Sequence, residues 1–93
     1  MANKARASHI LVKTEEQAKE LLAKIQRGES FEKLAEENSL CPSRKRGGSL
    51  GEFGHGQMVK EFEKAVFSAK KGQIVLVKTQ FGWHIIRVED LWG

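Results

Sequence analysis

From Ala5 to Val12 the chain reads Ala-Arg-Ala-Ser-His-Ile-Leu-Val, and strict alternation there places Ala7, His9 and Leu11 on one face of a first strand. The period then changes. Ala18, Leu21, Leu22 and Ile25 recur at i, i+3, i+4 and i+7, which is the apolar stripe of an amphipathic helix. Thr14-Glu15-Glu16-Gln17 ahead of it has the form of a capping box, and Gly28 supplies a left-handed stop. Ser30 is placed to cap a second helix, with Phe31, Leu34 and Ala35 inward, Glu32, Glu36 and Glu37 outward, and an end near Asn38. Met58, Phe62, Ala65, Val66 and Ala69 fit a third helix, read as stopping at Gly72 with Lys70-Lys71 in its last turn.

The chain closes on two β-rich segments, Ile74 to Val77 and Trp83 to Leu91, separated by Lys78-Thr79-Gln80-Phe81-Gly82, which reads as a terminal hairpin. On the last strand His84, Ile86 and Val88 share a face. Between the second and third helices five of the nine glycines fall within Gly47–Gly56, a density that calls for turns or close backbone approach around a short strand at Leu50–Phe53. The element order is therefore β-α-α-loop-β-α-β-β, and the class is α+β.

With 93 residues the chain has room for one domain, and 40% apolar against 30% charged residues is a globular balance. No apolar run approaches the roughly 20 residues of a membrane span, so no membrane role is expected. The basic start, Met1 to Arg6, leads straight into the first strand with no apolar leader, which suggests a cytoplasmic protein unless the chain was excised from a longer secreted one. A single cysteine, Cys41, forms no internal disulfide and suits a reducing compartment. The net charge of +4 has one cluster, Arg44-Lys45-Arg46, without interleaved aromatics; it reads as a solvated loop, and no nucleic-acid partner is expected.

Chemistry is carried by few residues. His9 and His84 lie on the first and last strands, and if those strands are neighbours the two imidazoles meet inside, either as a satisfied core pair or as an acid–base pair. Adding Cys41 makes a metal site conceivable, but the three residues lie far apart and lack the local pair that such motifs contain, so no metal is expected. A Cys–His nucleophile lacks a recognisable orienting group and oxyanion loop. The glycine-rich stretch lacks the Gly-Lys-Ser/Thr of a phosphate loop.

Beyond their spacing, three separated motifs resemble one family. His9-Ile10-Leu11-Val12, then Gly47-Gly48-Ser49-Leu50-Gly51-Glu52-Phe53 with Gly56-Gln57-Met58-Val59 and Phe62-Glu63-Lys64-Ala65-Val66-Phe67, and finally Phe81-Gly82-Trp83-His84-Ile85-Ile86, resemble the parvulin peptidyl-prolyl cis/trans isomerases. The resemblance covers residues 5–90 and implies a four-stranded antiparallel sheet surrounded by helices in an FKBP-like arrangement, β-α-α-α-β-α-β-β. It implies an isomerase acting on proline-containing peptides and unfolded protein segments, as a monomer and without cofactor. Its proline pocket would be Leu50, Met58, Phe62 and Phe81, and its catalytic group His9, Cys41, Thr79 and His84. The short acidic turn Lys13-Thr14-Glu15-Glu16 departs from relatives that prefer phosphorylated residues before proline, so no phospho-specificity is expected. The competing class is a non-catalytic module that holds extended peptides in the same groove.

Overall fold

The computed structural model describes residues 2–93. Strand β1 (Lys4–Val12) is followed by helices α1 (Glu15–Gln26) and α2 (Phe31–Asn38), a 3-10 helix (Pro42–Arg46), strand β2 (Ser49–Gly54), helix α3 (Lys60–Ser68) and the hairpin β3 (Ile74–Thr79) and β4 (Gly82–Trp92). The four strands form one antiparallel sheet in the order β2-β1-β4-β3, so the first and last strands are central neighbours. The α+β class and the four-stranded sheet are those expected.

Alternation divides the central strands between two apolar layers. Ile10, Val12 and Ile85 face Ala18 and Leu21 of α1 and Phe31, Leu34 and Ala35 of α2. Ala5, Ala7, Ile86 and Val88 face the other way, onto Phe62 and Val66 of α3 and Phe53 of β2. His9, Leu11 and His84 share this second face with Ala7 and Ile86, at the end of the sheet that α3 leaves open. The β1–β4 register shifts between Arg6 and Ala7, where Glu89 is the extra residue on β4, so Leu91 opposite Ala5 and Val88 opposite Ala7 both fall on the buried face.

Local chemistry sets the helix ends. Thr14 Oγ1 accepts the Gln17 N–H at 3.1 Å and Ser30 Oγ accepts the Lys33 N–H at 3.2 Å, so both caps act where expected. Arg87 on β4 ties the sheet to α2 by donating to Glu32 at 2.6 Å while its guanidinium lies 4.6 Å from the Phe31 ring centroid.

Three expectations change. Helix α3 starts at Lys60, not Met58: Val59 is its extended N-cap, and Met58 belongs to the preceding turn. That turn uses its backbone differently, the Gly54 N–H donating to Gln57 Oε1 at 2.6 Å and the Gly56 N–H to Glu63 Oε1 at 2.6 Å. The helix also ends at Ser68, with Ala69 extended, so Lys70-Lys71 lie beyond it and Gly72 serves a turn whose N–H reaches Val88 O at 2.7 Å. Finally, the hairpin loop is shorter than read, because Thr79 pairs with Gly82 and only Gln80-Phe81 turn between them.

In the glycine-rich stretch the closest backbone approach is at Gly48. Its φ is +88°, and a Cβ built there would stand 2.5 Å from the His9 carbonyl oxygen, where the backbones of β1 and the β2 entry touch. Gly51 is also left-handed, at φ +70°, but faces open space. Gly51→Ala should thus cost about 1 kcal/mol from backbone strain alone, whereas Gly48→Ala should cost about 2–3 kcal/mol because the strand must also move. By thermal melting Gly48→Ala should lower Tm by roughly 8–20 °C; equal losses for the two variants would show that the contact is not tight.

Candidate active site

The register of the two central strands brings the histidines together. His9 pairs with Ile86 and Leu11 with His84, so the two imidazoles are diagonal neighbours on one face. Their rings stack with centroids 5.0 Å apart, and Nδ1 of one lies 2.9 Å from Nδ1 of the other. A hydrogen bond between two Nδ1 atoms holds one proton, because two N–H groups would point at each other. The pair therefore carries at most one imidazolium.

His84 Nε2 lies 2.7 Å from Thr79 Oγ1, which also accepts the Phe81 N–H at 3.1 Å. The network runs from His9 through His84 and Thr79 into the β3–β4 turn. His9 Nε2 ends it as a buried atom without a partner among the described residues. Burial, and then the neighbouring His84 charge, lowers the His9 pKa from 6.5 to about 4, and burial lowers that of His84 to about 4. Both rings are neutral at pH 7.

Phe62 stands edge-on to both imidazoles, 5.5 Å from His9 and 5.3 Å from His84 between centroids. Above this floor lies a groove of about 440 Å³ lined by His9, His84, Cys41, Leu50, Met58, Phe62 and Phe81. Of the eight residues assigned from the sequence, Thr79 alone stays off the lining, behind His84. Leu11, Leu40, Pro42, Gln57 and Val59 complete the walls. Sequence reasoning missed these five, of which Leu40, Gln57 and Val59 come from the segments flanking the 3-10 helix and α3 and Pro42 opens the 3-10 helix.

Ser39 places one wall. Its buried Oγ accepts the Leu11 N–H at 3.0 Å and the Cys41 N–H at 3.3 Å, and the Leu40 N–H donates to Leu11 O at 2.8 Å. The segment Leu40-Cys41-Pro42 is thereby stitched to β1 beside the histidines. Leu40 and Phe81 on the groove rim are 55% and 60% exposed, unusual for large apolar side chains and suited to gripping an apolar ligand.

The histidine nitrogens bear on what Cys41 does. Two bond to each other, one to Thr79, and His9 Nε2 has no partner among the described residues, so no hydrogen bond joins either ring to the Cys41 thiol. Among the described residues no group of three or more His, Cys, Asp or Glu side chains is arranged to hold a metal ion.

The comparisons with known proteins agree with this geometry. Residues 1–91 match the model of the PPIC-type PPIASE domain. The chain belongs to the parvulin-type peptidyl-prolyl isomerase family. It is 56% identical over 89 residues to the foldase protein PrsA of Geobacillus kaustophilus, covering 94% of this chain and 32% of that protein. The crystal structure of PrsA from Bacillus anthracis superposes with a TM-score of 0.95 at 41% identity, covering 99% of this chain and 43% of that one. The solution structure of NmPin, the parvulin of Nitrosopumilus maritimus, matches with a TM-score of 0.86 at 41% identity over 97% of this chain and 99% of that one. This parvulin chain thus spans about a third of the PrsA protein and nearly all of NmPin. No helix among the described residues is long and apolar enough to cross a membrane.

The buried pair has a pH signature. The unfolded chain takes up protons on both histidines near pH 6.5 while the folded chain resists until about pH 4, so stability is full above 6.5 and falls as pH drops through that window. Tm should decline from pH 7 to pH 5. His9→Ala should lower Tm at pH 7 by roughly 4–8 °C, the worth of about 1 kcal/mol in a domain this size, and flatten the decline. A wild-type Tm constant over that range would contradict the buried neutral pair.

Proposed function

We propose that residues 1–93 form one catalytic unit that speeds cis/trans rotation about X-Pro bonds in unfolded or partly folded protein segments, with no covalent intermediate. The observation that carries the reading is the apolar groove closed below by a neutral histidine pair, with no nitrogen of that pair engaged with the Cys41 thiol.

Rotation about the bond crosses a barrier of about 20 kcal/mol because the planar amide loses its resonance. The twisted amide is less dipolar than the planar one, so transfer from water into an apolar groove favours the twisted form relative to the ground state. Leu50, Met58, Phe62 and Phe81 would hold the proline ring. His9, His84 and Thr79 would form a rigid floor that keeps Phe62 in place, and Cys41 would line the wall beside the amide as a polar group that does not bond to it. The rotation breaks no bond and moves no electrons to an acceptor, so the reading calls for no cofactor.

Specificity follows the rim. The acidic turn after β1 supports turnover without preference for a phosphorylated residue before proline, and the exposed triplet Arg44-Lys45-Arg46 supplies only screened surface charge. With this reading go a monomeric state and a cytoplasmic setting, unless the chain is part of a longer secreted protein; the free Cys41 thiol suits a reducing compartment. A second reading, in which the groove only holds extended peptides, draws on the exposed Leu40 and Phe81.

Exchange spectroscopy on a short Ala-Pro peptide separates the readings. Wild-type protein at micromolar concentration should accelerate exchange. Phe62 is 3% exposed and packs on Phe53, so Phe62→Ala disturbs the core as well as the groove. The half-buried Met58 and Leu50 are the cleaner probes: Met58→Ala and Leu50→Ala should lose about tenfold or more, the scale of a few apolar contacts to the ring, with the melting transition kept. Cys41→Ser should retain a substantial fraction. Binding without acceleration would favour the holding module, and a Cys41→Ser variant thousands of times slower, or a trapped adduct on Cys41, would overturn the noncovalent mechanism.

A further inference from the structure

One side-chain cluster next to the groove takes no part in the reading above. The turn Gly54-His55-Gly56-Gln57 joins β2 to α3 and ends at Met58, so its position decides where the Met58 and Gln57 walls stand. Glu63, one turn into α3, grips that turn with both carboxylate oxygens. Oε1 accepts the Gly56 N–H at 2.6 Å, and Oε2 lies 3.1 Å from His55 Nδ1. The His55 ring stacks on Phe67 with centroids 4.2 Å apart, and its Nε2 lies 3.3 Å from the Ala2 carbonyl oxygen.

We propose that Glu63 is a positioning residue for the groove, clamping the Gly54–Met58 turn through the Gly56 N–H and the His55 ring, and that protonation of His55 tightens the clamp. The proposal rests on the isomerase reading for its effect on turnover, but the clamp itself is a structural claim.

The geometry favours the charged ring. Both His55 nitrogens face acceptors, a carboxylate oxygen on one side and a carbonyl oxygen on the other, and only imidazolium donates from both. A neutral ring satisfies one and leaves its other nitrogen's lone pair facing an oxygen. Among the described residues Glu63 on α3 pairs with His55, and from β1 the Lys4 ammonium lies beside the neighbouring Gly54. The balance of these groups favours the charged form: hydrogen bonding to Glu63, and then to the Ala2 carbonyl, raises the His55 pKa above its ordinary 6.5. The Gly56 N–H, and then His55, hold the Glu63 carboxyl below its usual value. A raised folded pKa means that the clamp is complete below pH 6.5 and loosens as pH rises through the His55 titration. This is opposite in direction to the histidine pair under the groove, so the two together favour an intermediate pH.

Two readouts test the proposal. The Met58 methyl resonance reports the wall directly, and the pH profile of KM and kcat on an Ala-Pro peptide reports its use. Glu63→Ala should shift the Met58 methyl and raise KM roughly three- to tenfold, the worth of about one net hydrogen bond, with kcat within about twofold. In wild type the same methyl should move as His55 titrates, with KM rising in step. His55→Gln and Glu63→Gln should remove that step, while Glu63→Gln keeps an acceptor for the Gly56 N–H and so retains more activity than Glu63→Ala. An unmoved Met58 methyl in Glu63→Ala, or an alkaline step that survives in His55→Gln, would overturn the clamp. If wild type accelerates no exchange, the isomerase reading fails, and the methyl shifts still decide whether Glu63 sets the wall.

Discussion

The ladder between β1 and β4 is the constraint on which the rest depends. It joins the first and last strands of the chain at the centre of the sheet, and its register sets Leu11 opposite His84 and His9 opposite Ile86. Because side chains alternate, that register puts Ile10, Val12 and Ile85 under α1 and α2 and turns both histidines toward the other face. A slip of one residue would reverse the slipped strand's side chains, setting a polar imidazole among the leucines under α1 and α2 and an isoleucine on the groove floor. One set of backbone hydrogen bonds therefore fixes the core and the floor of the groove at once.

A polar floor under an apolar groove is expensive unless its atoms are paired. Here the expense is contained by linking the groups in series: each imidazole uses the other, and His84 uses Thr79, which is anchored by the Phe81 N–H. The network joins β1, β4 and the β3–β4 turn, and Phe62 packs edge-on against it from α3. Four separate parts of the chain are thereby held in one geometry by side-chain contacts. On the proposed mechanism the rigidity matters, since a groove acting by shape and low polarity gains nothing from groups that follow the substrate as it turns.

Periodic elements were legible and irregular ones were not. The cap at Thr14, the stripe Ala18, Leu21, Leu22 and Ile25, and the shared face of His84, Ile86 and Val88 follow directly from spacing, because period and capping are local properties. The start of α3 was misplaced because Met58 and Phe62 fit the helical period while Val59, a residue without a capping side chain, begins the helix. The turn before it is held by Glu63 and Gln57 through contacts that no local pattern announces. The 3-10 helix at Pro42–Arg46 was read from periodicity as loop, as five residues are too few to show a period. The meeting of His9 and His84 depended on strand order, and the family resemblance, rather than spacing, supplied the assignments of Cys41, Thr79 and Phe81. Leu40 and Gln57 enter the groove from irregular segments and Pro42 from the first residue of the 3-10 helix, where no period in the sequence announces them.

The central claim is that one proton is shared between two buried neutral imidazoles. The direct measurement is nitrogen-15 NMR of the histidine side chains across pH 7 to 4. The account predicts neutral-ring shifts for His9 and His84 down to about pH 5, with a scalar coupling across the hydrogen bond between their Nδ1 atoms. Two independent titrations near pH 6.5 without that coupling would contradict it.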